Sequence, residues 1–442
     1  MVGAGYVGAL TAITMAVESP HFQFQVCDIN KTLIERWQRD DLPFFEPNLK
    51  EYHLKAKSQQ NLTFTADVDS AIAQADVVFI CVNTPASRKN PFSEDLGQQT
   101  DLTAFKAVVN TISRVCQGYK MVVNKSTVPI NTLHTVQHTL NQGIDLVSCP
   151  EFLAEGSAIK DLTQPQRVVI GTCSQACFEV LKQLSPKNVP LVWCKDSSSA
   201  ELGKLMANAM LAQRVSSINS ITELCEHSEG TDINDVRQIL MSDQRIGDKF
   251  LQPSVGFGGS CFDKDVASLV FILWQRGMLQ QAKYWQGVLD INDMQKKRLA
   301  KVVLNHVRNG VVSVFGFSYK KNTSDTRSTP VCTLVTELAK AGLTVKVHDP
   351  QVTIEGFQFE MEQQGHFFDP EDNENRRIEF CGADAEKACS NSEAIILCTE
   401  WDQFLTYNYP SLQKHMQPNP CLFDFRCYVD REAMKKVFSR VY

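Results

Sequence analysis

Over the first 195 positions, apolar residues form short runs separated by stretches in which they recur every three or four residues. Phe24-Gln25-Val26-Cys27 reads as a strand closed by Asp28, and Asp76-Val77-Val78-Phe79-Ile80-Cys81-Val82 is a continuous run. Such a run suits a parallel sheet covered by helices on both faces. Met121-Val122-Val123 and Leu146-Val147-Ser148 predict further strands, with crossover helices between them. The pattern then changes. Ser197–Glu226, Asp263–Arg276 and Tyr284–Asn305 run at helical spacing without a proline. Beyond them the alternation returns, with strands expected at Val311–Phe317, Thr344–His348 (ending at Asp349), Ala394–Cys398 and Cys421–Phe425, and a helix at Pro330–Ala341. The polar stretch Glu355–Arg377 predicts a loop insertion.

The expected fold is α/β: two Rossmann-like doubly wound domains, residues 1–195 and 306–442, joined by a helical central region, 196–305. A chain of 442 residues exceeds one ordinary core. The central helices are the natural element for self-association.

Composition narrows the partners. Net charge is −6 with no basic stripe, which argues against nucleic acid. No apolar stretch is long enough to span a bilayer and no secretory leader is evident, so a cytoplasmic protein is expected. Fifteen cysteines lie mostly inside apolar runs (Cys81, Cys149, Cys398) without CxxC or metal-type spacing. They read as free thiols in a reducing compartment, with no metal site.

Two segments carry chemistry. Gly3-Ala4-Gly5-Tyr6-Val7-Gly8 is a G-x-G-x-x-G turn, and Asp28 follows Gly8 by twenty residues at a predicted strand end. Glycines there let backbone N–H groups meet a pyrophosphate, and the carboxylate binds a ribose 2′-OH, so NAD is expected over NADP. Val82-Asn83-Thr84-Pro85 would line the nicotinamide side. Only Met1 and Val2 precede Gly3, so the first strand of this sheet is expected to be missing, exposing Phe24–Cys27 and Val77–Val82.

The second segment is Gly256-Phe257-Gly258-Gly259-Ser260-Cys261-Phe262-Asp263-Lys264-Asp265. Cys261 stands in a glycine-rich turn with Asp265 four residues on, and a thiol in the first turn of a helix is activated by the helix dipole. Beside a hydride-accepting cofactor, such a thiol can hold an aldehyde for a second oxidation. Lys204 and Asn208 share one helix face by their spacing of four, and Glu151 and Glu155 follow a predicted strand end. Taken singly, Lys204 and Asn208 read better as a solvated helix lysine and a polar-face residue than as site residues, and Glu155 could be an ordinary surface acid.

The joint pattern resembles the UDP-glucose/GDP-mannose dehydrogenase family, most closely its animal-type UDP-glucose members. Lys125-Ser126-Thr127-Val128-Pro129, Cys149–Gly156, Asn208 with Ala212-Gln213-Arg214, Asp243–Gly247, Gly256–Asp265, Phe315–Lys321 and Asp325-Thr326-Arg327 occur in the family's order across nearly the whole chain. The resemblance implies NAD-dependent two-step oxidation of UDP-glucose to UDP-glucuronate through a Cys261 hemithioacetal and thioester. It implies roles for Lys204, Asn208 and Asp265 at the oxyanion and a catalytic water, and for Thr127 and Glu151 in proton transfer. Glu151, Phe152, Leu153, Ala154, Glu155, Lys204, Asn208, Phe257, Gly258, Gly259, Ser260, Tyr319, Lys320 and Arg426 would hold the sugar nucleotide. Arg245 would do so from a neighbouring subunit of a dimer or hexamer of dimers. Ser126, Thr127 and Arg327 would join Gly3 to Gly8, Asp28 and Val82 to Pro85 around NAD. A relative acting on GDP-mannose or a UDP-amino sugar, or a UDP-sugar-binding paralogue impaired in catalysis, has the same outline. Four positions depart from the family's usual residues: Asn124 replaces a glutamate, Leu33 an arginine, Phe425 a glycine and Cys427 an arginine.

Overall fold

The computed structural model describes residues 1–39, 41–87, 96–308, 310–365 and 377–442. These form two compact units: Met1–Ala207 with Phe271–Arg276, and Asn208–Val270 with Gly277–Tyr442. The 31-residue helix Ser197–His227 gives its first turns to one unit and the rest to the other.

The first unit contains strands β1 (Phe24–Cys27), β2 (Leu62–Thr65), β3 (Val77–Ile80), β4 (Lys120–Asn124), β5 (Ile144–Ser148), β6 (Val168–Gly171) and β7 (Leu191–Cys194). β1 pairs with β2, and β3, β4 and β5 pair in series, all parallel. β6 meets β5 antiparallel through Gly171 and Ser148. Val2 stands between β1 and β3, bridging to Cys27 and Ile80. Its N–H donates to the Phe79 carbonyl (2.7 Å), and its own carbonyl accepts from Cys81 N–H (2.8 Å). On the other side, Gly3 N–H donates to Cys27 O (2.8 Å) and Cys27 N–H to Met1 O (2.9 Å). The order is thus that of a dinucleotide fold, with the first strand's place taken by a dipeptide.

The expected exposure of the flanking strands does not occur. Val26, Cys27, Val78 and Ile80 are buried. Val2 packs with Cys27, Val78 and Ile80 in one cluster, and Leu10, Ile13 and Val17 of the helix Tyr6–Glu18 join Phe24 and Val26 in another. The backbone bonds of Met1, Val2 and Gly3 to Phe79, Cys81 and Cys27 lie immediately before the glycine turn and hold it between the two flanking strands.

The second unit holds β8 (Val311–Phe315), β9 (Thr344–His348), β10 (Ile378–Gly382), β11 (Ser392–Leu397), β12 (Cys421–Asp424) and β13 (Arg440–Val441). They form one parallel sheet ordered β10-β9-β8-β11-β12-β13. The helix Pro330–Lys340 starts where its sequence permits, with Thr329 capping and proline in the first turn. Helices Phe262–Gln275 and Leu279–Leu304 agree with the expected periodicity. The stretch Glu355–Arg377 is not simply a loop. Ile354–Gln363 is helical and buries Phe357, Glu360 and Met361, a face at helical spacing masked by the surrounding Glu and Gln. Residues 366–376 of that stretch lie outside the described residues.

Candidate active site

In the first unit the glycine turn is built by two close approaches. Gly3 sits at φ +108°, and a Cβ there would lie 2.6 Å from Cys81 O; one on Gly8 would lie 2.0 Å from Gly3 O. A Cβ on Gly5 meets nothing within 4 Å. Gly3 and Gly8 therefore serve the chain's own packing, whereas a side chain at Gly5 would enter open space beside the turn. The helix beginning at Tyr6 has no side-chain cap and no acid in its first turn, so its leading N–H groups suit an anion. Asp28 accepts from Ala4 N–H on Oδ2 (2.8 Å) and from Asn30 N–H on Oδ1 (2.9 Å), which fixes its carboxylate beside the turn. These residues fit a dinucleotide.

Tyr6 does more than fill the fingerprint. Its hydroxyl donates to Glu46, a buried carboxylate that also accepts from Gly156 N–H (2.7 Å) and Ala158 N–H (2.8 Å). Burial and then the bond to Glu46 hold the Tyr6 phenol well above its ordinary range. Glu46 thereby ties the glycine turn to the end of the Glu151–Gly156 loop. Sequence reading missed it, although an acid between two aromatics and a proline, Phe44-Phe45-Glu46-Pro47, is an unusual loop composition.

At the ends of β3, β4 and β5, Lys125 Nζ lies 2.9 Å from Glu151 Oε2, and both side chains are largely buried. Burial works against the ammonium, but Glu151 and the neighbouring Cys149 outweigh it and hold Lys125 above the usual lysine range. Glu151 Oε1 accepts from Phe152 N–H (2.9 Å). Ser126 Oγ donates to Val82 O (2.8 Å) and Thr84 Oγ1 to Thr127 O (2.6 Å), bringing the two predicted cofactor segments together. Asn124 holds Ser126 at both ends: Oδ1 accepts its N–H and Nδ2 donates to its carbonyl, each at 3.0 Å. The amide supplies a donor and an acceptor at once, which an ionised glutamate at this position would not. Lys204 Nζ lies 4.9 Å from the centre of the Phe152 ring, with Arg167 over the same ring at 4.4 Å.

In the second unit Cys261 is exposed and immediately precedes the helix Phe262–Gln275, its carbonyl accepting from Asp265 N–H (3.0 Å). The thiol is thus at the helix N-cap, one position before the first turn. Asp265 is buried, and its two oxygens accept from Asn208 Nδ2 (2.6 Å) and Lys264 Nζ (2.7 Å). All fifteen cysteines are free, and nine are buried. Burial pushes Cys81 up to about 11 and Cys332 and Cys389 up to about 12, which keeps these thiols protonated and inert. Exposure sets Cys261 apart from them.

The loop leading to Cys261 is shaped by polar side chains that sequence reading passed over. Buried Asn292 accepts Phe257 N–H on Oδ1 (2.8 Å) and donates to Phe257 O (3.0 Å), taking the place of a neighbouring strand. Asn219 accepts Ser254 N–H (3.0 Å) and Gln295 donates to Ser254 O (3.0 Å). Their sign in the sequence is an amide at an otherwise inward helix position. Gly259 N–H donates to Arg327 O (2.9 Å), and a Cβ at Gly259 would meet the Tyr319 ring at 2.8 Å. The predicted Phe257–Ser260 turn, Tyr319 and Arg327 are thus neighbours. Lys320 Nζ lies 5.6 Å from the centre of the Tyr319 ring.

Arg245 is 90% exposed and paired to its own Asp243 (2.6 Å), on a loop whose carbonyls at Ile246, Gly247 and Lys249 accept from Arg214. Arg426 pairs with Glu400 (2.5 Å), while Arg327 forks onto Asp325 (2.6–3.0 Å). Leu33 lies in the helix Lys31–Gln38, packed on the core, and Phe425, in the turn that follows β12, packs on the core of the second unit. Cys427 adopts φ +47°.

Sequence comparison gives three adjoining matches to one family's domain descriptions. Residues 1–187 match the NAD binding domain of the UDP-glucose/GDP-mannose dehydrogenase family, 198–294 its central domain and 313–431 its UDP binding domain. UDP-glucose 6-dehydrogenase of Gallus gallus is 38% identical over 97% of this chain and 88% of its own length. UDP-glucose 6-dehydrogenase 3 of Oryza sativa subsp. japonica is 37% identical over 100% and 95%. Among solved structures, a UDP-glucose dehydrogenase from the archaeon Pyrobaculum islandicum superposes with a TM-score of 0.82 at 26% identity, covering 97% of this chain and 93% of that one.

Proposed function

Because the chain belongs to the UDP-glucose/GDP-mannose dehydrogenase family, we propose that it oxidises UDP-glucose to UDP-glucuronate in two stages on a single thiol. The observation that carries this reading is the exposed Cys261 at a helix N-cap, one turn from the buried Asp265–Asn208 pair. NAD, held by the Gly3–Gly8 turn, Asp28, Val82–Pro85, Ser126, Thr127 and Arg327, supplies a hydride acceptor for each oxidation.

The residues divide the remaining work. Glu151, with Thr127, takes the proton of the C6 hydroxyl as that carbon is oxidised to the aldehyde. Cys261 Sγ then adds to the aldehyde carbon, giving a hemithioacetal whose new hydroxyl carries the added proton. Its oxidation leaves a thioester. Water, oriented by Asp265, attacks the thioester carbonyl; the C–S bond breaks, the carboxylate departs and the thiol is restored. Lys204 and Asn208 stabilise negative charge on oxygen at each tetrahedral stage. Phe152 to Glu155, the Phe257–Ser260 turn, Tyr319, Lys320 and Arg426 hold the sugar nucleotide. Residues 1–195 are read as the cofactor domain, 196–305 as the self-association and substrate region, and 306–442 as the UDP-sugar domain. Exposed Met210, Leu224 and Tyr284 on the central helices support self-association, with Arg245 reaching a neighbouring subunit. Fifteen free thiols support a cytoplasmic location.

The test is NADH stoichiometry. UDP-glucose should yield two NADH per sugar, and Cys261→Ser should lose the second, because an alkoxide leaves far more slowly than a thiolate. Steady formation of two NADH at the parent rate in Cys261→Ser would refute the thioester route. Faster turnover of GDP-mannose or a UDP-amino sugar would correct the substrate.

A further inference from the structure

The two sheets repeat one device: a turn after the first strand, and an aspartate closing the second. Asp28 in the first unit takes one backbone N–H on each oxygen and stays partly exposed. Asp349, which closes β9 in the second, is fully buried. Its Oδ2 accepts from Phe317 N–H (2.8 Å), Ser318 N–H (3.0 Å), Ser318 Oγ (3.1 Å) and Trp401 Nε1 (3.2 Å). Its Oδ1 accepts from Gln351 N–H (2.9 Å) and Val352 N–H (3.0 Å). A carboxylate has about four acceptor sites, so none remains for a ribose hydroxyl.

The same bonds hold the turn from below. Asp349 takes the N–H and hydroxyl of Ser318, while Thr399 Oγ1 donates to the Ser318 carbonyl (2.7 Å). Both peptide groups of Ser318 are therefore fixed, and with them the directions in which Tyr319 and Lys320 leave the turn. We infer that Asp349 is a positioning residue for the Ser318–Lys320 turn, and that by closing the dinucleotide ribose position from within it restricts the second unit to a nucleotide held by that turn. The inference rests on the reading of Tyr319 and Lys320 as contacts to the uridine diphosphate.

Asp349→Asn keeps one acceptor oxygen but turns an NH2 toward N–H donors. Losing hydrogen bonds to a charged group should raise the Kd for UDP and the KM for UDP-glucose by about tenfold or more. The KM for NAD should stay within about twofold, a split that general loosening of the fold would not produce. Ser318→Ala removes a single hydroxyl donor and should raise the same two constants by about threefold. It decides the matter if Asp349→Asn does not fold. Unchanged UDP affinity in the folded variants, or equal shifts for UDP-glucose and NAD, would overturn the positioning role. Two NAD molecules bound per parent chain in calorimetry would overturn the closed ribose position. A parent chain that binds no UDP would remove the underlying reading, and this inference with it.

Discussion

Replacing Lys125 with Met breaks an ion pair whose members are 2.9 Å apart, with side chains only 6% and 16% exposed. Glu151 would keep its bond from Phe152 N–H but face the buried Cys81 and Cys149 without a counter-charge. Removing one partner of a buried pair costs about 3–5 kcal/mol, most of it the penalty of the abandoned charge. The pair reaches β4 through the chain itself, since Lys125 follows Asn124 directly. Hydrogen exchange of the Lys120–Asn124 amides should therefore report the loss as faster opening by a factor of about a hundred or more. Glu151 in the variant is left as a buried carboxylate without its ammonium partner. Adding Glu151→Gln removes the stranded charge, and the double variant should recover most of the protection at pH 8. A single variant that loses less than about 1 kcal/mol, against the 3–5 expected, or a double variant no better than the single, would refute this reasoning.

Glu360 offers a pH test. Burial first, then Asp325, pushes its carboxyl up to about 7 from 4.5, against bonds from Gln364 and Ser328. The penalty is absent below about pH 4.5 and complete above about 7, where it amounts to at most ~3 kcal/mol. Glu360→Gln should therefore melt higher than the parent at pH 8 and equally at pH 4.5, by scanning calorimetry; a pH-independent difference would contradict this. Gly8→Ala should lower the melting temperature sharply, because its Cβ meets Gly3 O at 2.0 Å. Gly5→Ala should leave melting unchanged and weaken NAD in titration calorimetry, and the reverse pairing would show that the two glycines were assigned wrongly. Tyr6→Phe removes one of three donors to Glu46, so it should cost about 1.5–3 kcal/mol. Unchanged melting would mean that the bond is matched by water.

Local rules accounted for much of this protein. Parallel strands such as Val77–Ile80 and Met121–Val123 declared themselves by continuous apolar runs, because both faces are covered and no alternation is needed. The helix Ser197–His227, the glycine turn with Asp28 and the thiol loop around Cys261 could be read because each depends on spacing along one short segment. Short β2 and β6 gave no such signal, and the helix Ile354–Gln363 was hidden because three buried positions among acids and amides resemble a polar loop.

What the sequence by itself determined was the set of chemical groups and the family to which their order belongs. Tertiary structure decided which of those groups meet. Val2 fills a strand's place because its two peptide bonds fall where β1 and β3 both present partners, a fact invisible in a two-residue segment. Asn292 braces Phe257 across 35 residues, Glu46 joins Tyr6 to a loop 110 residues onward, and Asp349 gathers Ser318 and Trp401. Each is a polar group whose desolvation must be met by a partner distant in sequence, and no local periodicity encodes the address of that partner.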